Sequence, residues 1–364
     1  GVDNDGNPLG EGDSEQREEF RKRAVPMMFD EIRKSMKDFR VNFDVWFHEN
    51  SLYSDGEVDK AIADLRERGD IYEKDGATWF ESTKHGDDKD RVIIKSDGNY
   101  AYFAADIAYY RNKRHRDNDP ADIAIYMLGA DHHGYIGRMM AMCAAFGDEP
   151  GENMQILIGQ LVNVLKDGKA VRMSKRAGNV VTIDDLTDAI GVDASRYSLA
   201  RTDYNSPVDI DLNLLASHSN ENPVYYVQYA HARVCSILRR AADVTPEQAD
   251  EMGMKAVAAK AIGENVDYSL LTDPTELALS RKLNELTDLI ASCARDRAPF
   301  RLTHFAEELA GDFHSFYAAC QVLPSEGRPV DPELSRARLA ACDAVRVTLA
   351  LVLTLVGVSA PEQM

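Results

Sequence analysis

Apolar positions along this chain follow two periods, and the places where the period changes outline its elements. Residues 15–39 read as a helix with Phe29, Ile32, Met36 and Phe39 on one stripe, and residues 42–47 alternate as a strand does. Helical spacing returns over 57–68 through Val58, Ile62 and Leu65 and stops at Gly69. Short strands at 71–73 and 77–81 meet at Asp75-Gly76, a strong hairpin signal. A strand at 91–95, a helix at 103–114, an apolar strand at 123–128, a helix at 135–146 and an apolar strand at 154–158 follow. Strand, helix, strand with right-handed crossovers predicts a parallel sheet, whose ligands sit beyond the carboxyl ends of its strands. Asp167-Gly168 joins two more strands, 161–165 and 170–173, as a type I′ hairpin, and Thr182 or Asp184 caps the helix after them. From Ser219 onward the pattern is helical only, over 223–241, 274–296, 302–320 and 332–355, which predicts a four-helix bundle. The fold class expected is thus an α/β Rossmann-type parallel sheet followed by an all-α bundle.

Composition narrows the function. A chain of 364 residues with 28% charged side chains has room for two or three globular domains. The apolar run at 345–358 is too short to span a bilayer and carries Arg346, so no membrane association is expected. The five cysteines, Cys143, Cys235, Cys293, Cys320 and Cys342, stand far apart with no Cys-x-x-Cys pair. They predict reduced thiols of a cytoplasmic protein and no zinc site. A net charge of −19 means that any hold on nucleic acid must come from local basic patches. Three arginine clusters qualify: Arg233, Arg239 and Arg240; Arg295, Arg297 and Arg301; and Arg336, Arg338 and Arg346.

Three stretches carry candidate chemistry. Between the hairpin and the next helix, Lys169, Arg172, Lys175 and Arg176 precede Gly178, and fixed cations beside a flexible turn suit a polyphosphate whose charge changes during reaction. Tyr102 and Asp106 are four residues apart, on one helical face, where a hydroxyl and a carboxylate can receive a planar guanidinium. By spacing alone such a pair is more often a helix N-terminal turn with a packed aromatic ring. Asp131-His132-His133 follows a strand end, but adjacent histidines point apart and no third ligand stands at metal-site spacing, so no metal site is expected. Tyr225, Tyr226 and Tyr229 share a helix with Arg233, an arrangement that can stack an unpaired base and hold a phosphate.

The order of the letters adds to this reading. Arg172-Met173-Ser174-Lys175-Arg176 resembles the Lys-Met-Ser-Lys-Ser signature of class I aminoacyl-tRNA synthetases, departing at both ends. The chain from about Phe43 to Met364 is similar to the C-terminal part of the arginyl-tRNA synthetase family. The likeness is carried by GDDKDRVIIKSDGNYAYFAADIAYYRNK (86–113), GADHHGYIGR (129–138), VRMSKRAGN (171–179), SNENPVYYVQYAHAR (219–233) and GVSAPEQM (357–364). Asp343-Ala344-Val345-Arg346 is similar to the Asp-Ala-Leu-Arg motif that names the family's anticodon-binding domain. No His-x-Gly-His signature is present, so the chain is expected to be a fragment lacking the first catalytic half.

The resemblance implies three segments: a connective insert with flanking helices at 1–90, the second half of a Rossmann-type catalytic domain at 91–218, and a helical anticodon-binding domain at 219–364. It implies an ATP-dependent ligase, joining L-arginine to an arginine tRNA through an arginyl-adenylate, with magnesium on the nucleotide and a monomeric state. Lys175, with Arg172, Ser174 and Arg176, would serve the leaving pyrophosphate, and Met173 with Lys175 the nucleotide. Tyr102, Asp106, Asp131 and His132 would line the arginine and adenosine pocket. Tyr226, Ala230, Arg233 and Met364 would approach the tRNA anticodon loop. The other class considered is a non-catalytic RNA-binding or assembly protein derived from such a synthetase, which would share these residues. A cysteinyl-type synthetase would need a thiolate zinc site that these cysteines do not form.

Overall fold

The computed structural model describes the backbone of residues 14–116, 119–171 and 182–364, with side chains from Phe20 onward. It divides into two units, one of residues 43–162 with 204–208, the other of residues up to Asn42, 163–203 and 209–364. These units cut across the three segments read from the sequence.

The first unit is built around the helix Tyr102–His115, α4. Helices α2 (Asn50–Ser54) and α3 (Glu57–Glu67) precede an antiparallel sheet of β1 (Ile71–Lys74), β2 (Ala77–Phe80) and β3 (Arg91–Ile94). In α3, Val58, Ala61, Ile62 and Leu65 recur at helical spacing and are all buried. The β1–β2 turn places Asp75 at φ 53° and Gly76 at φ 73°, the pair of positive values that a type I′ turn requires. Next come α4 (Tyr102–His115), β4 (Ala124–Gly129), α5 (Ile136–Ala145) and β5 (Met154–Gly159). Strands β4 and β5 pair in parallel from Ala124 opposite Met154 to Gly129 opposite Gly159, as the alternation of strand and helix predicts. Phe80, Ile93, Ile107, Met142 and Met154 are fully buried at the centre of this core.

Residues 42–47, expected as a strand, form none. Their alternation seats aromatic rings instead of a ladder: Phe47 stacks on Tyr109 at 4.4 Å and Phe43 meets Trp46 edge-on at 4.9 Å.

The second unit holds α1 (Ser14–Asp38), most of the hairpin β6 (Val162–Lys166) with β7 (Lys169–Ala170), α6 (Ile183–Ala200), most of β8 (Val208–Asp211) and α7 (Leu212–Leu215). Asp167 and Gly168 turn the hairpin at φ 53° and 70°. Thr182 caps α6 in a reciprocal box with Asp185, and Gly191 interrupts the helix at φ 80°, ψ 162°. The helical part continues with α8 (Pro223–Ala242), α9 (Pro246–Met252), α10 (Met254–Ile262), α11 (Pro274–Asn284), α12 (Leu286–Asp296), α13 (Phe300–Ala319) and α14 (Pro332–Leu355).

The helix expected over 274–296 is divided at Glu285, whose N–H reaches back only three residues to the Lys282 carbonyl and so ends the regular ladder. Helices α9 and α10 were not anticipated, although Thr245-Pro246-Glu247-Gln248 spells the capping box that α9 uses. Val227, Val234, Leu238, Phe313, Val345 and Leu349 form the fully buried centre of the bundle.

Candidate functional site

Helix α4 is buried around most of its circumference by Phe103, Ala104, Ala105, Ile107, Ala108 and Tyr110. What remains is a stripe of Tyr102, Asp106, Tyr109 and Lys113, spaced as successive turns of one face require. The helix start is fixed by its neighbours: the Ala101 N–H donates to the Ile93 carbonyl at 2.8 Å, and the Tyr100 hydroxyl donates to Asp59. Tyr102 is 72% exposed, so its ring is presented rather than packed.

Asp106 is the unusual member. Its Oδ2 is buried without any hydrogen-bond partner, as are the Tyr126 hydroxyl and the Arg138 Nε. Burial, and then the negative charge of Glu49, push the Asp106 carboxyl up to about 6, against the opposing pull of Arg138 and Lys113. The same carboxylate charge raises the Tyr102 and Tyr126 hydroxyls, on Tyr102 as the largest influence and on Tyr126 after burial. Lys113 makes no ion pair among the described residues; its ammonium lies 3.9 Å from the Tyr109 ring centre and 4.1 Å from that of Tyr126. Burial, then the Arg116 charge, pull it down to about 8. The Arg138 guanidinium lies 4.3 Å from the Tyr135 ring centre.

A buried carboxylate oxygen with no donor is costly unless something cationic completes it. Two acidic groups, Asp106 and Glu49, acting on one half-buried position make a receptor for a cation rather than for an anion. A planar guanidinium would meet Asp106 in a bidentate manner and find aromatic surface at Tyr102. Spacing along α4 carried the signal for Lys113. Nothing local to the sequence links Glu49, Tyr126 or Arg138 to Asp106, since they come from the turn before α2, from β4 and from α5.

Asp131 and His132 lie in a single 3-10 turn, Ala130–Tyr135, directly after the carboxyl end of β4. They form a 3.8 Å pair, with Asp131 85% and His132 49% exposed. A Cβ at Gly129 would stand 2.9 Å from the Asp131 Oδ1, so a larger residue there would shift the exposed Asp131 side chain. Among the described residues no cluster of three or more His, Cys, Asp or Glu side chains could hold a metal ion. Arg172, Met173, Ser174, Lys175 and Arg176 lie outside the described residues.

In the helical unit, the three arginine clusters separate cleanly. Arg295 and Arg301 both pair with Asp296, at 3.4 and 2.6 Å, and Arg297 donates to the Ala294 carbonyl. Arg336 pairs with Glu333, Arg338 with Glu276 at 2.6 Å, and Arg346 with Asp343 at 2.7 Å. On α8 no such neutralisation occurs among the described residues. Arg233 donates to the Tyr229 hydroxyl at 2.8 Å and lies 4.6 Å from the Tyr317 ring centre, and Arg239 is buried, donating to the Glu362 carbonyl at 3.0 Å. Arg240 is exposed, and no acidic side chain lines the cavity of about 390 Å³ that holds all three arginines with Tyr229, Tyr317 and Met364. Beside it His218, Tyr225 and Tyr229 form a ladder of near-parallel rings, 5.5 and 6.1 Å apart.

Tyr226 is half-buried with its ring against His314 at 5.2 Å, and Met364 is 56% exposed. Ala230, expected to approach the RNA, is fully buried.

Comparison with known proteins identifies the family of both parts of the chain. Residues 8–227 match the family model described as tRNA synthetases class I (R), catalytic domain, and residues 227–364 match the DALR anticodon binding domain. The chain is 68% identical to an arginine–tRNA ligase of Bifidobacterium adolescentis and 65% identical to that of Bifidobacterium animalis subsp. lactis. Both alignments cover 100% of this chain and 61% of the relative, so the chain spans about three fifths of the length of the curated relatives it matches. A solved structure described as an arginyl-tRNA synthetase from Campylobacter jejuni superposes with a TM-score of 0.80 at 29% identity, covering 97% of this chain and 71% of that one. The arginyl-tRNA synthetase of Thermus thermophilus, at 21% identity and a TM-score of 0.74 over 96% of this chain and 65% of that one, shares the fold. No helix among the described residues is long and apolar enough to cross a membrane.

Proposed function

The chain belongs to the class I tRNA synthetases of the arginine type, and from that premise we propose that it is the arginine-selecting and tRNA-reading portion of a cytoplasmic, monomeric arginine–tRNA ligase. The observation that carries this reading is the unpartnered Asp106 Oδ2, half-buried with Glu49 as its acidic neighbour.

In this reading Asp106 receives the guanidinium of L-arginine, Tyr102 covers it, and Glu49 supplies further negative potential. The cation replaces the missing donors, and Asp106 then holds its negative charge at a lower pH than in the empty site. Asp131 and His132, at the strand end where ligands of parallel sheets gather, line the side toward adenosine. The arginine carboxylate attacks the α-phosphorus of ATP, forming arginyl-adenylate and releasing pyrophosphate. Lys175, supported by Arg172, Ser174 and Arg176, stabilises the charge that grows on that leaving group, and Met173 packs against the nucleotide. A terminal ribose hydroxyl of the tRNA then takes the arginyl group and releases AMP. Magnesium would accompany the nucleotide phosphates, where it neutralises charge. The described residues offer no ligand set for it. The unneutralised face of α8, with Arg233, Tyr226 and Met364 at its centre, receives the anticodon loop.

Calorimetric titration with L-arginine and L-citrulline tests the first part. Citrulline has nearly the same shape but no charge, so arginine should bind and citrulline should not. Equal binding of the two would remove Asp106 and Glu49 from the pocket.

A further inference from the structure

Residues 356–364 have no regular secondary structure, and such segments are mobile unless they are tied down. Here they are tied at every second residue or closer. Arg196 on α6 donates to the Val356 carbonyl at 3.3 Å, and its guanidinium fills the space beside Gly357. Gly357 stands at φ 73°, and a Cβ there would overlap that guanidinium, so only glycine suits this position on two counts. Ser359 donates both its N–H, at 3.1 Å, and its hydroxyl to Asp193, also on α6. Gln228 on α8 donates to the Ser359 carbonyl at 2.9 Å and to Asp193 at 2.8 Å, and Arg40 reaches Asp193 at 2.5 Å. Further along, His231 Nδ1 donates to the Pro361 carbonyl at 2.9 Å and Arg239 to that of Glu362.

The result is that Met364, though exposed, has a defined place. It borders two cavities on α8: that of about 390 Å³ with Arg233 and Arg240, and one of about 490 Å³ between α6 and α8 that includes Asp193, His218 and Tyr225. The groups that hold residues 356–362 come from α6 and α8, and Asp193 itself lines the second cavity.

We propose that Asp193, together with Arg196, is a positioning residue for RNA recognition: it seats the chain terminus on α8 so that Met364 forms the shared wall of both cavities. This rests on the reading of the α8 face as the RNA-binding surface. Asp193 touches no RNA in this scheme and acts through Ser359 and Gln228. It is the acceptor for both Ser359 donors, and three chain segments besides its own helix converge on it.

The experiment uses the 364-residue chain, a transcribed arginine tRNA, and four forms: wild type, Asp193→Asn, deletion of Gln363 and Met364, and the two changes combined. Gly357→Ala serves as a second way to unseat the terminus. Hydrogen exchange of residues 357–364 should rise in Asp193→Asn and in Gly357→Ala, while exchange in the α13 and α14 core stays slow. RNA affinity should fall about tenfold in Asp193→Asn, equivalent to about 1.4 kcal/mol. The deletion should cost as much, and Asp193→Asn should cost nothing further within it, with an unchanged salt slope throughout. An additional loss in the combined form would mean that Asp193 acts elsewhere, and unchanged exchange at 357–364 would equally overturn the proposal. If the wild-type chain does not bind the tRNA, the reading of the α8 face fails, while the exchange measurement still decides whether Asp193 seats the terminus.

Discussion

Asp106 and Asp193 are both half-buried aspartates, and the protein treats them in opposite ways. Asp193 collects donors from Arg40, Gln228 and both groups of Ser359. Although burial works against it, the hydrogen bonds from Ser359, Gln228 and Arg40 hold its carboxyl below the ordinary value. Asp106 Oδ2 collects none, and burial with Glu49 drives the carboxyl up. Burial alone is therefore not what distinguishes a structural acid from a binding acid. The distinction is whether the fold supplies the donors or leaves them to a ligand.

Replacing each aspartate by asparagine should break this pair apart. Asp106→Asn should cost arginine binding about 3–5 kcal/mol, the scale for losing one partner of a desolvated ion pair. Yet it should stabilise the empty protein. A carboxyl whose folded value lies near 6, above the unfolded 3.8, opposes folding once it ionises, so its contribution worsens as pH rises through that window and stays unfavourable at pH 7. For Asp193 the sign is reversed. Its stabilisation is present above the unfolded value and is lost as acid protonates it below that value, so Asp193→Asn should lower the melting temperature at neutral pH. Thermal melts from about pH 2 to 8 read both slopes, and two variants shifting in the same direction at pH 7 would end the comparison. Arginine affinity of the wild type should rise from pH 5 to 7 and then level, with proton release on binding near pH 6.

How far the sequence foretold these sites follows from how local their causes are. The turns at Asp75-Gly76 and Asp167-Gly168 were legible because two consecutive positive φ angles are a property of the dipeptide itself. Tyr102 and Asp106 were legible because four residues make one helical turn. Glu49 was not, since it meets Asp106 only through tertiary packing. Ala230 was read toward RNA, and its full burial is set by tertiary packing that no local window contains. The strand expected at 42–47 had the right alternation and no partner to pair with. Thr182 was one of two candidate caps, and its reciprocal bond with Asp185 decides between them.

The same contrast between supplied and missing partners ranks the arginines. Arg240 is exposed in a cavity with no acidic lining, so its charge is available to a phosphate. Arg240→Ala should weaken tRNA binding about equally for different tRNA sequences and reduce the salt slope by about 1, as expected for one lost phosphate contact. Filter binding over a salt series measures this. An unchanged slope with weaker binding would make Arg240 a packing residue.

Arg301 completes the series with the smallest effect. It is charged, partly exposed and in a cluster that looks equally basic in the sequence, but Asp296 already sits 2.6 Å from its guanidinium and also faces Arg295. A phosphate approaching this helix would have to displace a carboxylate, gaining one ion pair and losing another, and would meet the Asp296 charge as it did so. Hydrogen bonds from Arg301, after which burial works in the other direction, hold the Asp296 carboxyl below its ordinary value, so the pair stays ionised over the neutral range. Arg301→Ala should accordingly leave tRNA affinity and salt slope as they are. It should change stability by no more than about 0.5 kcal/mol, the usual worth of an exposed ion pair. A loss of binding as large as that of Arg240→Ala would show that a neighbouring carboxylate does not silence an arginine on this surface, and the ranking of the three clusters would fall with it.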